Sequence, residues 1–351
     1  MKIVYIVGAR PQFIKLGPLS KRTRGHFEEI IIHTGQHFDL NMSDLFFRDL
    51  KIPKPDYNLE INCGDHGEQS GRMMIQLESV LKRECPNLVV VFGDTNSTMA
   101  GSLVCAKLKV PVIHVEAGLR SFNRDMPEEI NRIVSDHTAD YLFAPTKTAM
   151  SNLANEGIVK NAFLTGDIMV DSLEENIKRA KQVSRIFEEK QIAPMTYYLM
   201  TLHRPYNVDN PDILKNIFKQ FVKFENQVVF PIHPRTQKII NANNLRIPEN
   251  IMVSEPLGYL DFITLESSAI KIITDSGGIQ KEAYLLKKPC ITIRSETEWT
   301  ETVEDGWNVL VNAMDKDFAH VIETFNPDEK QGDVFGKNVS SKMFDIICDI
   351  I

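Results

Sequence analysis

Residues 270–282 read IKIITDSGGIQKE and decide how the rest of the chain is interpreted. An isoleucine-rich run predicts a buried strand, two glycines follow it, and the next residues favour a helix. Because Gly277 and Gly278 lack side chains, their backbone can approach a bound group closely, and the helix N-terminus favours an anion. Glu282, one turn further on, is placed to accept hydrogen bonds from a sugar hydroxyl. The stretch predicts either a diphosphate cradle or an ordinary strand-to-helix turn.

Strand and helix signals alternate along the whole chain around this stretch. Between the strands, helical periodicity is clearest over residues 71–83 and 97–108. A charged, helix-prone segment at 172–190 separates two series of strands. Strands are predicted at 2–7, 29–33, 88–92, 112–115 and 141–143, and then at 198–201, 227–231, 251–253, 270–274 and 290–293.

Alternation of this kind predicts an α/β fold in which parallel sheets are covered by helices on both faces. The length of 351 residues suits two domains. We expect two Rossmann-like, doubly wound domains facing a cleft, an N-terminal one over residues 1–165 and a C-terminal one over 166–335. A helix at 336–351 is expected to pack back on the N-terminal domain. Ligands should then bind at loops that follow the carboxyl ends of the strands.

Composition excludes several classes of function. Apolar residues make up 43% and charged residues 25% of the chain, as in a folded globular protein, and no window approaches the length of a membrane span. The N-terminus reads as a strand and not as a signal peptide, so we expect a cytoplasmic protein. Five scattered cysteines predict neither a disulfide framework nor a zinc site. The net charge of −7 argues against nucleic acid as a partner.

The first two predicted strands end in polar turns. After the first, Arg10 and Lys15 bring two cations to the start of a helix, where they would face a diphosphate or simply be solvated. After the second, the sequence His33-Thr34-Gly35-Gln36-His37 is dense in hydrogen-bonding groups. Two histidines four residues apart lack a third metal ligand at useful spacing, so we favour substrate contact or turn polarity over a metal site.

The third and fourth predicted strands each end near a carboxylate. Asp94 and Glu116 lie at these ends, and Glu128 and Glu129 follow Pro127 at a predicted helix start. Acids near a helix N-terminus are favoured by the dipole alone, so a structural role is a strong alternative for the second pair. Carboxylates gathered around one pocket would repel each other and raise the pKa of at least one of them, which supplies a base and an acid.

Two predicted strands of the second half end in a histidine that an arginine follows. His203 and Arg204 end one strand, and His233 and Arg235 follow the next. These groups are suited to proton transfer and to phosphate charge, although a capping histidine is an alternative at each position.

Together these residues closely resemble the non-hydrolysing UDP-N-acetylglucosamine 2-epimerases, bacterial and archaeal enzymes with a glycosyltransferase-B-like fold. Nearly the whole chain takes part in the resemblance, with the motifs in the family's order. The matching segments are Gly8-Ala9-Arg10-Pro11, His33-Thr34-Gly35-Gln36-His37, Gly93-Asp94-Thr95, His114-Val115-Glu116-Ala117-Gly118-Leu119-Arg120, Pro127-Glu128-Glu129-Ile130-Asn131-Arg132, His203-Arg204, His233-Pro234 and Asp275-Ser276-Gly277-Gly278-Ile279-Gln280.

The resemblance implies an isomerase of surface polysaccharide biosynthesis that needs no cofactor and no metal. It implies anti elimination of UDP across C1–C2 to a 2-acetamidoglucal, followed by re-addition after a proton returns to the opposite face. It also implies a homodimer. The catalytic residues implied are Asp94, Glu116, Glu128 and His203. The UDP-sugar-binding residues implied are Arg10, Lys15, Gln36, His37, Arg120, Arg204, His233, Leu257, Phe262, Ser276, Gly277, Gly278 and Glu282.

The chain departs from the commonest family pattern at two places. Pro205-Tyr206-Asn207 replaces a charged residue followed by Glu-Asn, and Thr297-Glu298-Trp299-Thr300-Glu301 stands where many members have an Arg-Pro step. This second form, with Asn41-Met42-Ser43, resembles the branch that acts on UDP-2,3-diacetamido-2,3-dideoxyglucuronate. Phe38 and Asn41 also bear on the allosteric substrate site that many bacterial members carry.

Three functions therefore stand side by side. The first is a non-hydrolysing 2-epimerase, with UDP-N-acetylglucosamine favoured over the diacetamido uronate as substrate. The second is a hydrolysing relative that releases UDP and free N-acetylmannosamine. The third is a glycosyltransferase-like or catalytically silent nucleotide-sugar-binding protein, which would have no need for Asp94, Glu116 and Glu128 together.

Overall fold

The structure, a computed structural model, describes residues 1–36, 47, 51–62, 64–222, 224–315, 318–327 and 330–351. Predictions made for His37, Phe38, Asn41-Met42-Ser43 and Cys63 lie outside the described residues. The chain forms two compact units: unit 1 comprises Met1–Glu174 with Asp333–Ile351, and unit 2 comprises Glu175–Gly332. Unit 2 is therefore inserted in the sequence between the two parts of unit 1.

Thirteen strands are assigned in the described part of the chain, seven in unit 1 and six in unit 2. The strands of unit 1 are β1 (Lys2–Val7), β2 (Glu28–His33), β3 (Tyr57–Asn58), β4 (Leu88–Phe92), β5 (Val112–Val115), β6 (Tyr141–Ala144) and β7 (Ala162–Leu164). Those of unit 2 are β8 (Tyr197–Thr201), β9 (Gln227–Pro231), β10 (Ile251–Ser254), β11 (Ile272–Thr274), β12 (Cys290–Ile293) and β13 (Asn308–Val311).

Helices separate nearly all of these strands. The first six are α1 (Arg10–Thr23), α2 (His66–Glu84), α3 (Asn96–Leu108), α4 (Pro127–Thr138), α5 (Lys147–Asn155) and α6 (Met169–Val183). The following nine are α7 (Ile186–Lys190), α8 (Pro205–Val208), α9 (Pro211–Phe221), α10 (Pro234–Ala242), α11 (Tyr259–Ser268), α12 (Gly277–Leu285), α13 (Thr300–Glu304), α14 (Phe318–Thr324) and α15 (Val339–Ile350). Within the described residues, no helix is long and apolar enough to span a bilayer.

Both sheets are parallel and share one strand order. In unit 1 the order is β3-β2-β1-β4-β5-β6-β7, and in unit 2 it is β10-β9-β8-β11-β12-β13. Numbered within its own unit, each sheet follows the doubly wound order 3-2-1-4-5-6, and unit 1 adds one further strand. The order reverses between β1 and β4 in unit 1 and between β8 and β11 in unit 2. Ligand sites of such sheets lie beyond the carboxyl ends of the strands at this reversal.

Alternating side chains along the strands build a core on each face of the unit 2 sheet. Tyr198 and Met200 belong to a cluster that includes helix residues of α9. Tyr197 and Leu199 belong to a second cluster that includes Leu265 of α11. Because successive side chains of a strand point to opposite faces, residues 197–200 of β8 make both of its faces apolar, as expected of a buried parallel strand.

The strands predicted from the sequence are confirmed, with small differences at their ends. The first, third and fourth predicted strands have the observed bounds, whereas β11 begins at Ile272, two residues later than predicted. The segment 172–190 forms most of α6 and the whole of α7. Strands β3, β7 and β13 were not predicted, because the first two have only two and three residues and β13 lies at a sheet edge.

The last helix of the chain belongs to unit 1. It packs on α1, and the rings of His26 and Phe344 lie 5.0 Å apart at this contact. Asp171 holds its N-terminus by accepting hydrogen bonds from the backbone N–H groups of Val339 (3.1 Å) and Ser340 (2.8 Å). An acid at this end also suits the helix dipole. The sequence-based boundaries at residues 165 and 335 stay predictions.

Candidate functional site

A buried amide fixes the reversal point of the unit 1 sheet. The Gln12 side-chain oxygen accepts hydrogen bonds from the backbone N–H groups of Gly8 (2.7 Å) and Ala9 (2.9 Å). Its amide nitrogen donates to the carbonyl oxygen of Phe92 at 2.7 Å. A Cβ at Gly8 would collide with the hydroxyls of Thr34 and Ser97. The loops after β1 and β4 are therefore closely packed and joined by Gln12.

Two of the predicted catalytic carboxylates lie at the ends of neighbouring strands, and each faces a cation. Asp94 follows β4, and its carboxylate accepts a 2.6 Å hydrogen bond from Arg132. Glu116 follows β5 and forms an ion pair with the buried ammonium of Lys15. A Cβ built on Gly93 would lie 3.2 Å from the Lys15 nitrogen, so the loop after β4 borders the same ion pair. These cations offset the repulsion that the sequence predicted between the carboxylates.

The backbone of Glu116 has a φ of 76°, which is uncommon for a residue with a side chain. Gly118 follows with a φ of 82°, and a Cβ there would collide with the carbonyl oxygen of Ala149. Strained conformations outside glycine persist where the surrounding structure holds them and concentrate at functional sites. The loop after β5 is therefore shaped to hold the Glu116 carboxylate at the strand end.

A buried polar network lies behind these two loops. His114 of β5 is fully buried, with Nδ1 2.6 Å from an Asp136 carboxylate oxygen and Nε2 2.7 Å from the Gly93 carbonyl oxygen. The other Asp136 oxygen accepts hydrogen bonds from Gly118 N–H (3.0 Å) and from Arg120 (2.7 Å). Burial acts to raise the pKa of Asp136, but His114 and Arg120 outweigh it and hold this pKa below its usual value. The network ties the loop before Asp94 to the loop after Glu116.

Glu128 and Glu129, adjacent in α4, have different surroundings. Glu129 is 1% exposed, and its carboxylate accepts hydrogen bonds from the backbone N–H groups of Ser121 and Phe122, both at 2.9 Å. It also accepts a 2.9 Å hydrogen bond from Arg132, which joins it to Asp94. Glu128 is only half-buried. The contacts of Glu129 are those of a residue that fixes a loop, which leaves Glu128 as the catalytic candidate of this pair.

The remaining predicted residues of unit 1 have varied environments. Arg10 is half-buried at the first position of α1. Gln36 accepts hydrogen bonds through its side-chain oxygen from the Ser97 backbone N–H (3.0 Å) and hydroxyl (2.7 Å). Arg120 is buried and forms ion pairs with Asp136 and Glu156, contacts that favour a positioning role over direct substrate contact. His33, four residues before His37, is buried, and burial lowers its pKa.

At the reversal point of the unit 2 sheet, Asp275 follows β11 and organises the end of β8. Its carboxylate is fully buried and accepts hydrogen bonds from the backbone N–H groups of His203 (3.1 Å) and Arg204 (3.0 Å) and from the Asn207 amide (3.2 Å). The His203 Nδ1 lies 3.0 Å from one Asp275 oxygen. Burial opposes ionisation, but these hydrogen bonds hold the pKa of Asp275 below its usual value. Asp275 thus positions the predicted catalytic histidine.

The predicted diphosphate cradle has the expected strand, turn and helix. Ser276 precedes α12, which begins at Gly277. A Cβ on Gly277 would collide with the Glu298 carboxylate, whereas a Cβ on Gly278 would find only the Ser276 hydroxyl, at 4.0 Å. Glu298 in turn pairs with Arg294 at 2.9 Å. The close approach at Gly277 is therefore made by this chain's own carboxylate, and Gly278 is the glycine that leaves space at the helix N-terminus.

Glu282 lies one turn into α12, where the sequence predicted a hydroxyl-binding acid. It is 7% exposed and accepts a 3.1 Å hydrogen bond from the Tyr259 hydroxyl. Leu257 and Phe262 pack against the apolar cluster of unit 2 that includes Tyr197 and Leu199. A second acid, Glu266, is fully buried nearby, and its pKa is raised well above the usual value by burial and by the Glu282 charge.

The Thr-Glu-Trp departure from the family pattern has a defined environment. Trp299 is 2% exposed, and the ammonium of Lys281 lies 4.1 Å from its ring centroid, a cation–π contact. The hydroxyl of Thr297 donates a 2.7 Å hydrogen bond to Gln280 of α12. The segment after β12 is therefore packed onto the helix of the proposed cradle.

Sequence reasoning did not assign roles to several residues of these sites. They are Gln12, His114, Arg132, Asp136, Asp275 and Glu298. Most of them lie beside a residue with an assigned role in the same motif, as Asp275 lies before Ser276, and this position could have indicated them. The partners they contact are separated from them by up to 86 residues, as Gln12 and Thr98 are, and become visible only in the fold.

Two doubly wound units with carboxylates, histidines and a helix N-terminus at their sheet reversal points are typical of nucleotide-binding enzymes. Comparison with known proteins specifies the class further. The family model for UDP-N-acetylglucosamine 2-epimerase matches residues 20–347. The chain belongs to the UDP-N-acetylglucosamine 2-epimerase family and is an isomerase.

Relatives match the chain over most of their length. A UDP-N-acetylglucosamine 2-epimerase homolog of Methanococcus maripaludis is 51% identical over 97% of both chains. The UDP-2,3-diacetamido-2,3-dideoxy-D-glucuronate 2-epimerase of Pseudomonas aeruginosa is 47% identical over 89% of both chains. The crystal structure of the Methanocaldococcus jannaschii UDP-GlcNAc 2-epimerase, in complex with UDP-GlcNAc and UDP, matches with a TM-score of 0.92, 44% identity and 99% coverage of both chains.

The fold is shared more widely. A lipopolysaccharide outer core galactosyltransferase matches with a TM-score of 0.57 at 12% identity, a likeness of fold alone. The glycosyltransferase-B-like fold class predicted from the sequence is therefore confirmed.

Proposed function

We propose that this protein interconverts the C2 epimers of a UDP-2-acetamido sugar, with UDP-N-acetylglucosamine and UDP-N-acetylmannosamine as the favoured pair, for surface polysaccharide biosynthesis. The observation that carries the proposal is the pair of carboxylates at the ends of β4 and β5, each held against a cation. Relatives with the same function and near-complete coverage support it.

The reaction we propose is elimination followed by re-addition. The C2 proton is not adjacent to a carbonyl group, so its removal alone gives no stabilised anion. A base takes this proton, its bonding electrons form the C1–C2 double bond, and the C1–O bond breaks with its electron pair leaving on UDP. A proton then returns to C2 from the opposite face, and the UDP oxygen adds again at C1. No redox change occurs.

This route requires an acid and a base on different faces of the sugar ring. We assign these tasks to Asp94, Glu116 and Glu128, with His203 as the further catalytic group. The contact between Glu116 and Lys15 supports the assignment, because a neighbouring ammonium favours the carboxylate form that a base needs. The Asp94 contact with Arg132 acts in the same direction.

The nucleotide part of the substrate is negatively charged and needs cations and N–H donors. In our proposal Arg10, Lys15, Arg204 and His233 provide positive charge or donors. The N-terminus of α12, at Ser276, Gly277 and Gly278, adds its dipole for the departing diphosphate. The ribose hydroxyls bind to Glu282, and Leu257 and Phe262 contact the base. Gln36 and His37 complete the UDP-sugar-binding set implied by the family resemblance. Arg120, which the resemblance also implies, acts in our proposal through its ion pairs with Asp136 and Glu156.

A second candidate substrate is UDP-2,3-diacetamido-2,3-dideoxyglucuronate. The observation that favours it is Trp299 with Lys281 against its ring, where many family members have an Arg-Pro step. The relative that is named for this uronate is 47% identical to the chain. The two candidate substrates share the elimination chemistry and differ in the groups at C3 and C6.

Proton NMR in deuterium oxide tests the function and the reaction type together. With UDP-N-acetylglucosamine, we expect the manno epimer to form with solvent deuterium at C2 and with the nucleotide sugar intact. Free N-acetylmannosamine and UDP would instead identify a hydrolysing enzyme. If UDP-N-acetylglucosamine is unchanged and the diacetamido uronate is epimerised, the second substrate is the correct one. Failure of both substrates to exchange at C2 would refute the proposed function.

A Glu116→Gln variant tests the assigned chemistry, because it removes the carboxylate charge and keeps the shape of the side chain. We expect turnover to fall by about 10²- to 10⁴-fold, the usual contribution of a general acid or base, while UDP still binds. Glu78→Gln is the matched control, since Glu78 lies on the exposed face of α2 and pairs with Lys82. Equal turnover of the two variants would contradict the role of Glu116.

A homodimer and a cytoplasmic location are further parts of this proposal. The homodimer rests on the family resemblance, whereas the cytoplasmic location rests on the sequence alone. Light scattering of the purified protein checks the first, and a monomer over the working concentration range would contradict it.

A further inference from the structure

Two histidines lie side by side at the carboxyl end of the unit 2 sheet. His203 follows β8 and His233 follows β9, and their ring centroids are 5.8 Å apart. The side chain of His203 is 35% exposed, and His233 is exposed as well. In each ring Nδ1 contacts another group of the protein, Asp275 for His203 and the Arg235 N–H for His233, and part of the ring surface faces solvent. The contacts of the two Nδ1 atoms have opposite character.

The Nδ1 of His203 faces an acceptor. It lies 3.0 Å from an oxygen of Asp275, a buried group that also accepts the N–H groups of His203 and Arg204 and the Asn207 amide. Burial acts to raise the pKa of Asp275, but the His203 ring, followed by the Arg204 N–H and the Asn207 amide, outweighs burial and keeps this pKa below its usual value. A group that accepts several N–H donors and is held in this way is a carboxylate. A carboxylate only accepts hydrogen bonds, which requires that Nδ1 of His203 carries a hydrogen.

The Nδ1 of His233 faces a donor. It accepts the backbone N–H of Arg235 at 3.2 Å, as the N-cap of α10. A ring nitrogen that accepts a hydrogen bond carries its lone pair, so in the neutral ring the hydrogen lies on Nε2. The helix therefore fixes this tautomer through its own first turn.

We propose that the fold holds these neighbouring histidines in opposite tautomers, with Asp275 as the positioning residue that makes Nε2 of His203 a proton acceptor. The Nε2–H of His233 is then a hydrogen-bond donor beside it. One ring suits proton transfer and the other suits an anionic oxygen of the substrate. The catalytic use of His203 rests on the proposed function, whereas the two tautomers do not.

Other charged and titratable groups lie around this pair. The electrostatic environment of Tyr206, three residues after His203, includes Asp275, Arg204 and Arg294. Burial raises the pKa of Tyr206 to about 12, so it stays neutral over the working range. Asp275 lies within hydrogen-bonding distance of the His203 ring, at 3.0 Å from its Nδ1. It is therefore the group whose replacement should change the state of that ring.

Two-bond nitrogen–proton correlation spectra of the full-length protein, labelled with ¹⁵N-histidine, read the tautomers directly. The nine histidines are assigned with the help of His203→Gln and His233→Gln variants. At about pH 8, where an ordinary histidine is neutral, we expect the Nδ1–H form at His203 and the Nε2–H form at His233. The same tautomer at both residues, or a doubly protonated His203, would overturn the inference.

Replacement of Asp275 tests the positioning role. In Asp275→Asn we expect His203 to lose its pure Nδ1–H form and kcat to fall by about 10²- to 10⁴-fold with a changed pH profile. Asn207→Ala is the matched control, because Asn207 donates to Oδ2 of the same carboxylate at 3.2 Å, whereas Nδ1 of His203 lies near Oδ1. It should keep the tautomer and the pH profile of the wild type.

The outcomes separate this inference from the proposed function. An unchanged tautomer and pH profile in Asp275→Asn, with a loss of kcat no larger than in Asn207→Ala, would overturn the positioning role. If Asp275→Asn does not fold, as thermal unfolding would show, the wild-type spectra still decide the tautomers. If the protein epimerises no UDP-sugar, the proposed function fails while the same spectra still support or overturn the opposite tautomers.

Discussion

Glu266 of α11 offers a direct test of how burial controls charge in this protein. Its side chain is fully buried, and neither carboxylate oxygen has a hydrogen-bond partner within the described structure. Burial, together with the Glu282 charge, raises its pKa well above the usual 4.5. An ionised carboxylate without a partner in such a place costs several kcal/mol, so the folded protein keeps Glu266 protonated.

The sign and size of the effect on stability follow from proton linkage. Above pH 4.5 the unfolded chain releases this proton while the folded protein retains it. The unfolded state then binds fewer protons, so the free energy of unfolding falls as pH rises. One proton gives a slope of about 1.4 kcal/mol per pH unit. The loss begins near the usual pKa and continues until the pH passes the raised pKa of the folded state.

A Glu266→Gln variant removes the titration and keeps the shape. Urea unfolding of both proteins from about pH 5 to about pH 9 should show similar stability at the acid end and a growing advantage of the variant towards alkaline pH. The advantage grows by at most about 1.4 kcal/mol per pH unit. A Glu266→Leu variant serves as a control, because it also removes the buried polar atoms and should give a nearly constant difference from Glu266→Gln.

Parallel stability profiles of wild type and Glu266→Gln over this range would refute the reasoning. They would mean that Glu266 titrates alike in the folded and unfolded states. Comparison of the two proteins cancels the contributions of carboxylates that do not interact with Glu266, since these are common to both.

Two further changes test contacts of the sites. Arg132→Met should lower kcat by about 10²-fold, because it frees the Asp94 carboxylate from its 2.6 Å partner. It should also lower the unfolding midpoint, because the buried Glu129 carboxylate loses a 2.9 Å partner, and steady-state kinetics beside thermal unfolding checks both effects. Gly277→Ala should destabilise the protein by about 1 kcal/mol, because the new Cβ displaces the end of the Glu298 side chain from its contact with Arg294. Gly278→Ala should leave the unfolding midpoint nearly unchanged, because its new Cβ would lie 4.0 Å from the Ser276 hydroxyl. Equal midpoints for the two glycine variants would contradict the packing described at α12.

The strands and the loops after them could be predicted from the sequence, for a simple physical reason. Central strands of a parallel sheet are buried on both faces, so β4 appears as an unbroken apolar run (LVVVF) and β1 as one that only Lys2 at its start departs from. Polar residues directly after such runs then stand out. In contrast, β7 has no fully buried residue and consists of three residues, which gives no comparable signal.

Contacts between distant residues could not be predicted in the same way. The glycine at 277 was interpreted as space for a diphosphate, whereas the group beside it belongs to Glu298, which is 21 residues further along the chain. Arg120 follows Glu116 in one motif, yet its ion-pair partner Asp136 comes from α4. A local pattern shows that a polar group is needed, and the fold determines what it contacts.

The sequence order of the two units has a consequence for synthesis of the chain on the ribosome. Helix α15 is translated after all of unit 2, yet it packs on α1 near the start of unit 1. Until α15 emerges, the Phe27 and His26 side of the growing chain lacks Phe344, its aromatic neighbour. Unit 2 has all of its residues earlier, so it can finish folding first although unit 1 began first. A nascent chain stalled after Gly332 should therefore present an apolar face that chaperones recognise.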